Sequence, residues 1–579
     1  MADGMGTVIT INNFATEMSQ FNPDTESSHL YGLVDMGSNG IRFSISDLSP
    51  PRSRLLHCVY RERAGISLYD ALHESTPDAK PFHFSKHTID EVARTMGRFK
   101  GICNSYGVHK DHISVFATEA MRTSKNRDEM LRAIKESSGL TVDILSPGME
   151  SLFGAMGARS GFTNVNGLFM DLGGGSVQMT YVDSTADASY DVLAAEAATS
   201  MPFGAAKLTA ALSTQDTAEA AKTELRASMK TTFQGLCQRF PRLREQADSH
   251  EGVTIYFCGG GFRGYGSLLM HTDPVQPYPI PAIGGYTAPG HRFIKWREML
   301  HANNYEDGKI HGMSKRRREQ FPAIATVVQS LVEAIPKIKE VTFCSGGNRE
   351  GVLYMKLPSS VREQNPISLL PGGAPNQDHK VLDAVTSFMH SALPDGYPEV
   401  LSPELLLHIV KNVWQDAGNR DDANAARALH DPISGHTAGL PGTTHEMRAV
   451  LALILCSRWA SDLGPVDQRV QQNLQALISP ELSWWCDYVG TFVRFLATVV
   501  PVFPRSPQAL GEAVKIRKCS TGHGLGKKGH KVGIKLELSV SSKCGLSAMA
   551  LEGIFGKVGK GVSLGWKVEA DVTLDELER

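Results

Sequence analysis

The sequence predicts an α/β protein with two lobes flanking a cleft, followed by a helical domain and a small β-rich C-terminal module. Three observations carry this reading. An acidic, glycine-rich turn between strand-like runs occurs twice, at Leu33-Val34-Asp35-Met36-Gly37-Ser38-Asn39-Gly40 and at Phe169-Met170-Asp171-Leu172-Gly173-Gly174-Gly175-Ser176. Strand-like and helix-like segments alternate around both copies at the lengths of α/β units. After a Pro/Gly-rich stretch at 357–377, helical spacing takes over, and from about 510 the pattern alternates with period two.

Residues 1–28 are polar and without periodicity, and read as a mobile leader. In the first lobe, 29–162, strands are predicted at 31–36, 41–47 and 55–60; Asp47-Leu48-Ser49-Pro50-Pro51 marks the turn between the last two. Ile89, Val92, Met96, Phe99 and Ile102 recur at helical spacing within 85–106. A strand at 112–117, a helix at 128–138, a strand at 141–145 and a small-residue helix at 151–160 complete this lobe. The second lobe, 163–356, has predicted strands at 167–172, 177–182 and 194–201, then an Ala-rich helical zone over 204–245. Strands 253–258 and 341–344 each end in glycines, Gly259-Gly260-Gly261 and Gly346-Gly347; the carboxyl ends of strands are where α/β proteins bind ligands. The segment 357–377 reads as a linker, 378–505 as a helical domain and 506–579 as the β module, with strands at 532–540 and 566–572.

A chain of 579 residues exceeds one core, and its net charge of −2 gives no whole-chain attraction to nucleic acid or membrane. The nine cysteines are dispersed with no CxxC pair, which fits a reducing compartment. The longest apolar stretch, 492–503, is broken by Arg494 and Pro501 and is too short to span a bilayer. The beginning of the chain has no basic and apolar signal pattern, so a cytoplasmic location is expected.

The repeated turn admits two readings. It is an ordinary hairpin in which glycine serves only the bend, or it is an anion cradle. In the second, backbone N–H groups approach a ligand unobstructed by a Cβ, and the preceding Asp holds a divalent cation or a water. The duplication, with Asp in the same place relative to strand and turn, favours two cradles clamping one phosphate chain and its metal.

Those stretches, with Ala117-Thr118-Glu119-Ala120-Met121-Arg122, Asn126, Glu150, Gly259-Gly260-Gly261 and Gly346-Gly347-Asn348-Arg349-Glu350-Gly351 in the same order, resemble the exopolyphosphatase and guanosine-pentaphosphate phosphohydrolase family. That family is a branch of the actin, Hsp70 and sugar-kinase superfold, so the resemblance implies two actin-like lobes. The wording of the 116–122 stretch and the extra C-terminal regions are most similar to the family's fungal retrograde-regulation branch. That branch is associated with signalling from mitochondria to nuclear transcription through cytoplasmic protein partners. The resemblance implies hydrolysis of a terminal phosphoanhydride of polyphosphate or of a nucleotide of the ATP or guanosine-polyphosphate type. In this picture Glu150 activates the attacking water, and Asp35 and Asp171 hold Mg²⁺. Backbone amides of Gly37, Ser38 and Asn39, and of Gly173, Gly174 and Gly175 beside Ser176, grip the phosphates. Arg42 and Arg122 neutralise their oxygens, and Gly259, Gly260 and Gly261 approach a base or ribose. Two departures stand out. Gly40 replaces a hydroxyl residue, and Ser151-Leu152 follow Glu150 where the family carries Ala-Arg, which counts against efficient turnover. The alternative is a nucleotide-gated signalling scaffold with weak or absent catalysis.

Three further signals are ambiguous. His430-Asp431 with His436 and His445-Glu446 is similar to part of an HD metal site, but as a degenerate set. Lys315-Arg316-Arg317-Arg318 is a solvated helix start, a cleft-side attractor of polyphosphate or a localisation signal. Lys515, Arg517, Lys518, Lys527, Lys528 and Lys531 dock an acidic partner or guard strand edges.

Overall fold

The computed structural model describes residues 6–18, 21, 28–73, 81–186, 189–306, 308–373, 377–418, 421–526, 529–560 and 564–575. The chain forms two compact units, Met1–Asp273 with Ala282–Pro366, and Pro274–Pro281 with Ile367–Arg579.

The first unit contains two six-stranded sheets. In lobe I, β1 (Val8–Ile9), β2 (Leu30–Gly37), β3 (Gly40–Asp47), β4 (His57–Ala64), β5 (Ile113–Ala117) and β6 (Val142–Leu145) lie in the order β1-β6-β5-β2-β3-β4. In lobe II, β7 (Asn166–Leu172), β8 (Val177–Asp183), β9 (Thr199–Met201), β10 (Val253–Cys258), β11 (Tyr286–Pro289) and β12 (Ile338–Phe343) lie in the order β11-β12-β10-β7-β8-β9. Both sheets have an antiparallel three-strand meander, β2-β3-β4 or β7-β8-β9, joined to parallel strands through its first member. The duplication seen in the turns is thus a duplication of whole sheets.

Period-two alternation along β2 decides where its acid points. Val34 and Met36 enter the lobe I core with Val92, Met96 and Phe99 of the helix Lys86–Tyr106 and Met130 and Ile134 of the helix Arg127–Ser138. Tyr31 and Leu33 face the other way, into a core shared with Leu152 and Phe153 of one helix and Val352 and Leu353 of another. Asp35 has the parity of the second set, as Asp171 has that of Phe169 in the same shared core.

Those two helices, Pro147–Arg159 and Asn348–Lys356, meet backbone to backbone. A Cβ on Gly157 would lie 2.0 Å from the Gly347 carbonyl oxygen, and one on Gly351 1.8 Å from that of Phe153. Only glycine permits this approach.

Several expectations are corrected. The leader is placed in its described parts: β1 pairs in parallel with β6, and Phe21 is 2% exposed with its N–H on the Lys356 carbonyl. Residues 23–27 lie outside the described residues. The third strand runs over His57–Ala64 rather than 55–60, and the helix read at 151–160 starts four residues earlier, at Pro147, capped by Ser146. The strand read at 194–201 is mostly the helix Tyr190–Ala197, with β9 only at its end. Gly259-Gly260-Gly261, after the strand as expected, forms the first turn of the helix Gly259–His271. The presumed linker carries the helix Ser359–Arg362 and a 3₁₀ turn, Pro366–Leu369; 374–376 lie outside the described residues.

The second unit joins what read as separate helical and β parts. Its longest helix, Pro480–Val499, presents Trp484, Tyr488, Phe492 and Phe495. Phe492 and Phe495 pack on Phe555 of the helix Ala548–Phe555, and Trp484 meets Trp566 edge-on at 5.2 Å. The sheet comprises β13 (Val514–Leu525), β14 (Lys531–Ser541) and β15 (Lys567–Asp575), with β14 central. Helix Ala548–Phe555 supplies the crossover that the parallel β14–β15 pair requires. Lys515, Arg517 and Lys518 lie on edge strand β13; Lys527 and Lys528 lie outside the described residues. His430 pairs with Asp467 at 2.8 Å, and His445 Nδ1 with the Tyr278 hydroxyl at 2.8 Å. Among the described residues no three His, Cys, Asp or Glu side chains are grouped to hold a metal. No helix among them is long and apolar enough to cross a membrane.

Candidate functional site

The two glycine turns confront each other. A Cβ on Gly174 would lie 2.6 Å from the Asn39 carboxamide, and one on Gly175 2.3 Å from a Glu119 carboxylate oxygen and 3.2 Å from Ser38 Oγ. Between the lobes is a cleft of ≈ 1070 Å³, open mouth included, whose walls contain Asp35, Gly37, Ser38, Asn39, Arg42, Glu150, Asp171, Gly173, Gly174, Gly175, Ser176, Gly259, Gly260 and Gly261. Of the residues expected to act in catalysis or to bind phosphate, metal or nucleotide, all but one therefore share one groove.

The exception is Arg122. Its guanidinium lies 2.8 Å from Glu150 and donates to the Leu145 carbonyl, behind the cleft wall rather than on it. In this structure Arg122 is thus a partner of Glu150 and does not line the cleft.

The amides offered by the turns are displaced by one residue from expectation. The Gly173, Gly174 and Gly175 carbonyls accept from the N–H groups of Ala205, of Ala206 and Lys207, and of Gly204, while Gly173 N–H donates to Ser176. In a trans peptide the N–H points opposite to its own carbonyl, so Gly174, Gly175 and Ser176 turn their N–H groups away from those partners. In lobe I the Ser38 carbonyl accepts from Tyr69 N–H and Ser67 Oγ, and that of Asn39 from Arg63, which leaves the N–H groups of Asn39 and Gly40 similarly directed.

Acids and arginines divide the cleft. Burial raises the Glu150 pKa to about 7; Arg122 opposes the rise, while Asp171 and Asp35 add to it. Burial likewise raises Asp35 and Asp171, against the pull of Arg42 and Arg349 on the former and Arg263 and Arg42 on the latter. Asp35, Glu150 and Asp171 are the carboxylates among the described residues that line the cleft. Arg316 and Arg317, of the run for which a cleft-side position was one of three readings, also line the cleft, as do Arg63 and Arg263, which the sequence did not single out. Burial and the nearby charges of Arg263, Arg42 and Arg63 depress the Arg317 guanidinium to about 10. Such crowding of like charge is relieved by a bound polyanion.

Gln178 was also missed. It stands across the strand pair from Asp171 as Arg42 stands across from Asp35, at the same seven-residue spacing, and that spacing was the available signal. Its side chain is 5% exposed, and its amide donates to Ser176 Oγ (2.6 Å) and Ser200 Oγ (3.2 Å).

A model of the Ppx/GppA phosphatase family matches residues 48–360, and one of the RTG2 C-terminal domain matches 372–574. The chain is 32% identical over 504 residues to Retrograde regulation protein 2 of Saccharomyces cerevisiae, covering 84% of this chain and 83% of that one. It is 25% identical over 342 residues to Exopolyphosphatase 1 of Mycobacterium leprae, covering 57% of this chain and 89% of that one. Among solved structures it is similar to the Aquifex aeolicus Ppx/GppA phosphatase, with a TM-score of 0.42 and 18% identity over 57% of this chain and 99% of that one.

Proposed function

The chain belongs to the Ppx/GppA phosphatase family, in the branch of Retrograde regulation protein 2, and from that premise we propose that its cleft binds the phosphate chain of polyphosphate or a nucleotide and hydrolyses the terminal phosphoanhydride. The observation that carries the reading is the meeting, in one groove, of two amide-presenting turns, an arginine cluster and a carboxylic acid titrating near neutrality. Phosphoryl transfer asks a protein chiefly for positioning and charge neutralisation. Amides of the two turns hold non-bridging oxygens, and Arg42, Arg63, Arg263 and Arg317 balance the chain's charge. Glu150 takes the proton of the attacking water, and Arg122 favours its ionised form.

Mg²⁺ suits Asp35 and Asp171, because burial raises both carboxyls and the Asp35 charge raises Asp171 further, a cost that a shared cation relieves, and Mg²⁺ takes few carboxylates beside water and phosphate. When bound, it would neutralise phosphoryl oxygens. A second reading, a regulator in retrograde signalling that binds a cytoplasmic partner according to its ligand state with slow or absent turnover, is favoured by the match of residues 372–574 to the RTG2 C-terminal domain. Phosphate release from polyphosphate and from ATP, by wild type and Glu150→Gln, separates them. A rate lost in the variant supports hydrolysis; binding with negligible release in both supports the regulator.

A further inference from the structure

The arginine run at Lys315–Glu319 does something more specific than attract anions. Arg316 leaves lobe II and places its Nη2 2.8 Å from Asn39 Oδ1, 2.9 Å from Ser67 Oγ and 2.8 Å from Asp70 Oδ2, all three in lobe I. Asn39 is the tip of the first turn, and its carboxamide also abuts Gly174 of the second. Ser67 Oγ in turn donates to the Ser38 carbonyl, which orients the following N–H. We propose that Arg316, oriented by Asp70, is a positioning residue that latches lobe I onto lobe II and fixes the spacing of the two phosphate turns.

The placement of Asp70 argues for a latch over a simple anion attractor. A carboxylate beside a polyanion site repels the ligand and offsets the charge of the arginine it pairs with. Its side chain is 57% exposed, so no burial requirement explains it. A guanidinium Nη2 that meets Asp70, Asn39 and Ser67 together, at the end of a long planar side chain, is in contrast a fixed contact point that the shorter, more flexible lysine stem does not place equally. The same arrangement separates the two accounts by sign. If Arg316 only attracts phosphate, removing the Asp70 charge strengthens binding; if Asp70 orients a latch, its removal weakens binding.

The ligand arm rests on the cleft binding phosphate chains as proposed above; the second arm does not. Inorganic tripolyphosphate binding is measured calorimetrically for the full chain, Asp70→Asn, Arg316→Lys and the double variant. Amide hydrogen exchange of 37–40 and 67–72 is followed in the ligand-free proteins. Asp70→Asn is expected to weaken tripolyphosphate binding about 2- to 5-fold. Arg316→Lys weakens it at least as much despite retaining the charge, and the double variant does no worse than Arg316→Lys, because both act through one contact. Exchange in both segments rises without ligand. Tighter binding in Asp70→Asn, or full function in Arg316→Lys, overturns the latch. If wild type binds no tripolyphosphate, the phosphate-cleft reading fails instead, and the exchange arm decides the latch: faster exchange upholds it and unchanged exchange rejects it.

Discussion

Replacing Arg122 by Gln removes the guanidinium that touches Glu150 at 2.8 Å while leaving every cleft-lining residue in place. Both side chains are mostly shielded, with 21% and 13% exposure, so the ion pair is only weakly screened. An adjacent arginine typically holds a carboxyl about 1 to 3 pH units lower than it would otherwise titrate. Without Arg122, the Glu150 value of about 7 moves up by that amount. At pH 7 the ionised fraction then falls from about one half to between roughly a tenth and a thousandth, and the rate of a reaction using Glu150 as base falls in proportion. The assay is phosphate release from tripolyphosphate with Mg²⁺ between pH 5.5 and 10. Wild type should show an acidic limb near pH 7, and the variant a displaced limb with its rate recovered at the alkaline end. Stability supplies an independent readout. A carboxyl whose folded pKa of about 7 exceeds its ordinary 4.5 keeps a proton that the unfolded chain has released. Its contribution is full below the unfolded value and is lost as pH rises through the folded one, by about 3 kcal/mol in all. Glu150→Gln abolishes that slope and Arg122→Gln carries it to higher pH. A variant whose activity loss persists undiminished at pH 10, or whose limb stays near 7, refutes the reasoning.

Two glycines give further tests. Gly157→Ala sets a Cβ against the Gly347 carbonyl, where no flexible side chain can yield; the helix bearing Glu150 must move. A cost of about 1–3 kcal/mol is expected, read as a lowered Tm, with phosphate release falling alongside. Gly259, at φ +84, has Asp171 Oδ1 only 2.3 Å from where a Cβ would stand. Gly259→Ala should cost about 1–3 kcal/mol of stability by denaturant titration and weaken tripolyphosphate binding by displacing that carboxylate.

What could be read from the sequence was what is encoded locally. Each acid and its glycine turn are contiguous, so their repetition exposed both lobes and most of the cleft wall. Arg122 was assigned to phosphate because its role depends on Glu150, 28 positions away and brought close only by folding. Arg263 sits on a helix that gives no local sign of facing a groove; the charge run holding Arg316 and Arg317 was visible, but not that Arg316 reaches residues more than 240 positions distant. Ala194 and Ala195 were read into a strand and not the helix they occupy because an alanine-rich run has neither period. Strand β13, rich in Lys and Gly, conceals the alternation that exposed β14. The start of the Glu150 helix was legible in principle, since Ser146-Pro147 is an N-cap followed by proline at the first helical position.

The most direct test is a calorimetric titration of inorganic tripolyphosphate, with Mg²⁺, into wild type and Gly174→Val. A valine at 174 collides with Asn39 and pushes the opposed turns apart. Saturable heat in wild type, abolished in a variant whose circular dichroism and Tm show it folded, is the predicted result. Equal binding by both proteins, or no heat from wild type with tripolyphosphate, ATP or a guanosine polyphosphate, would contradict it.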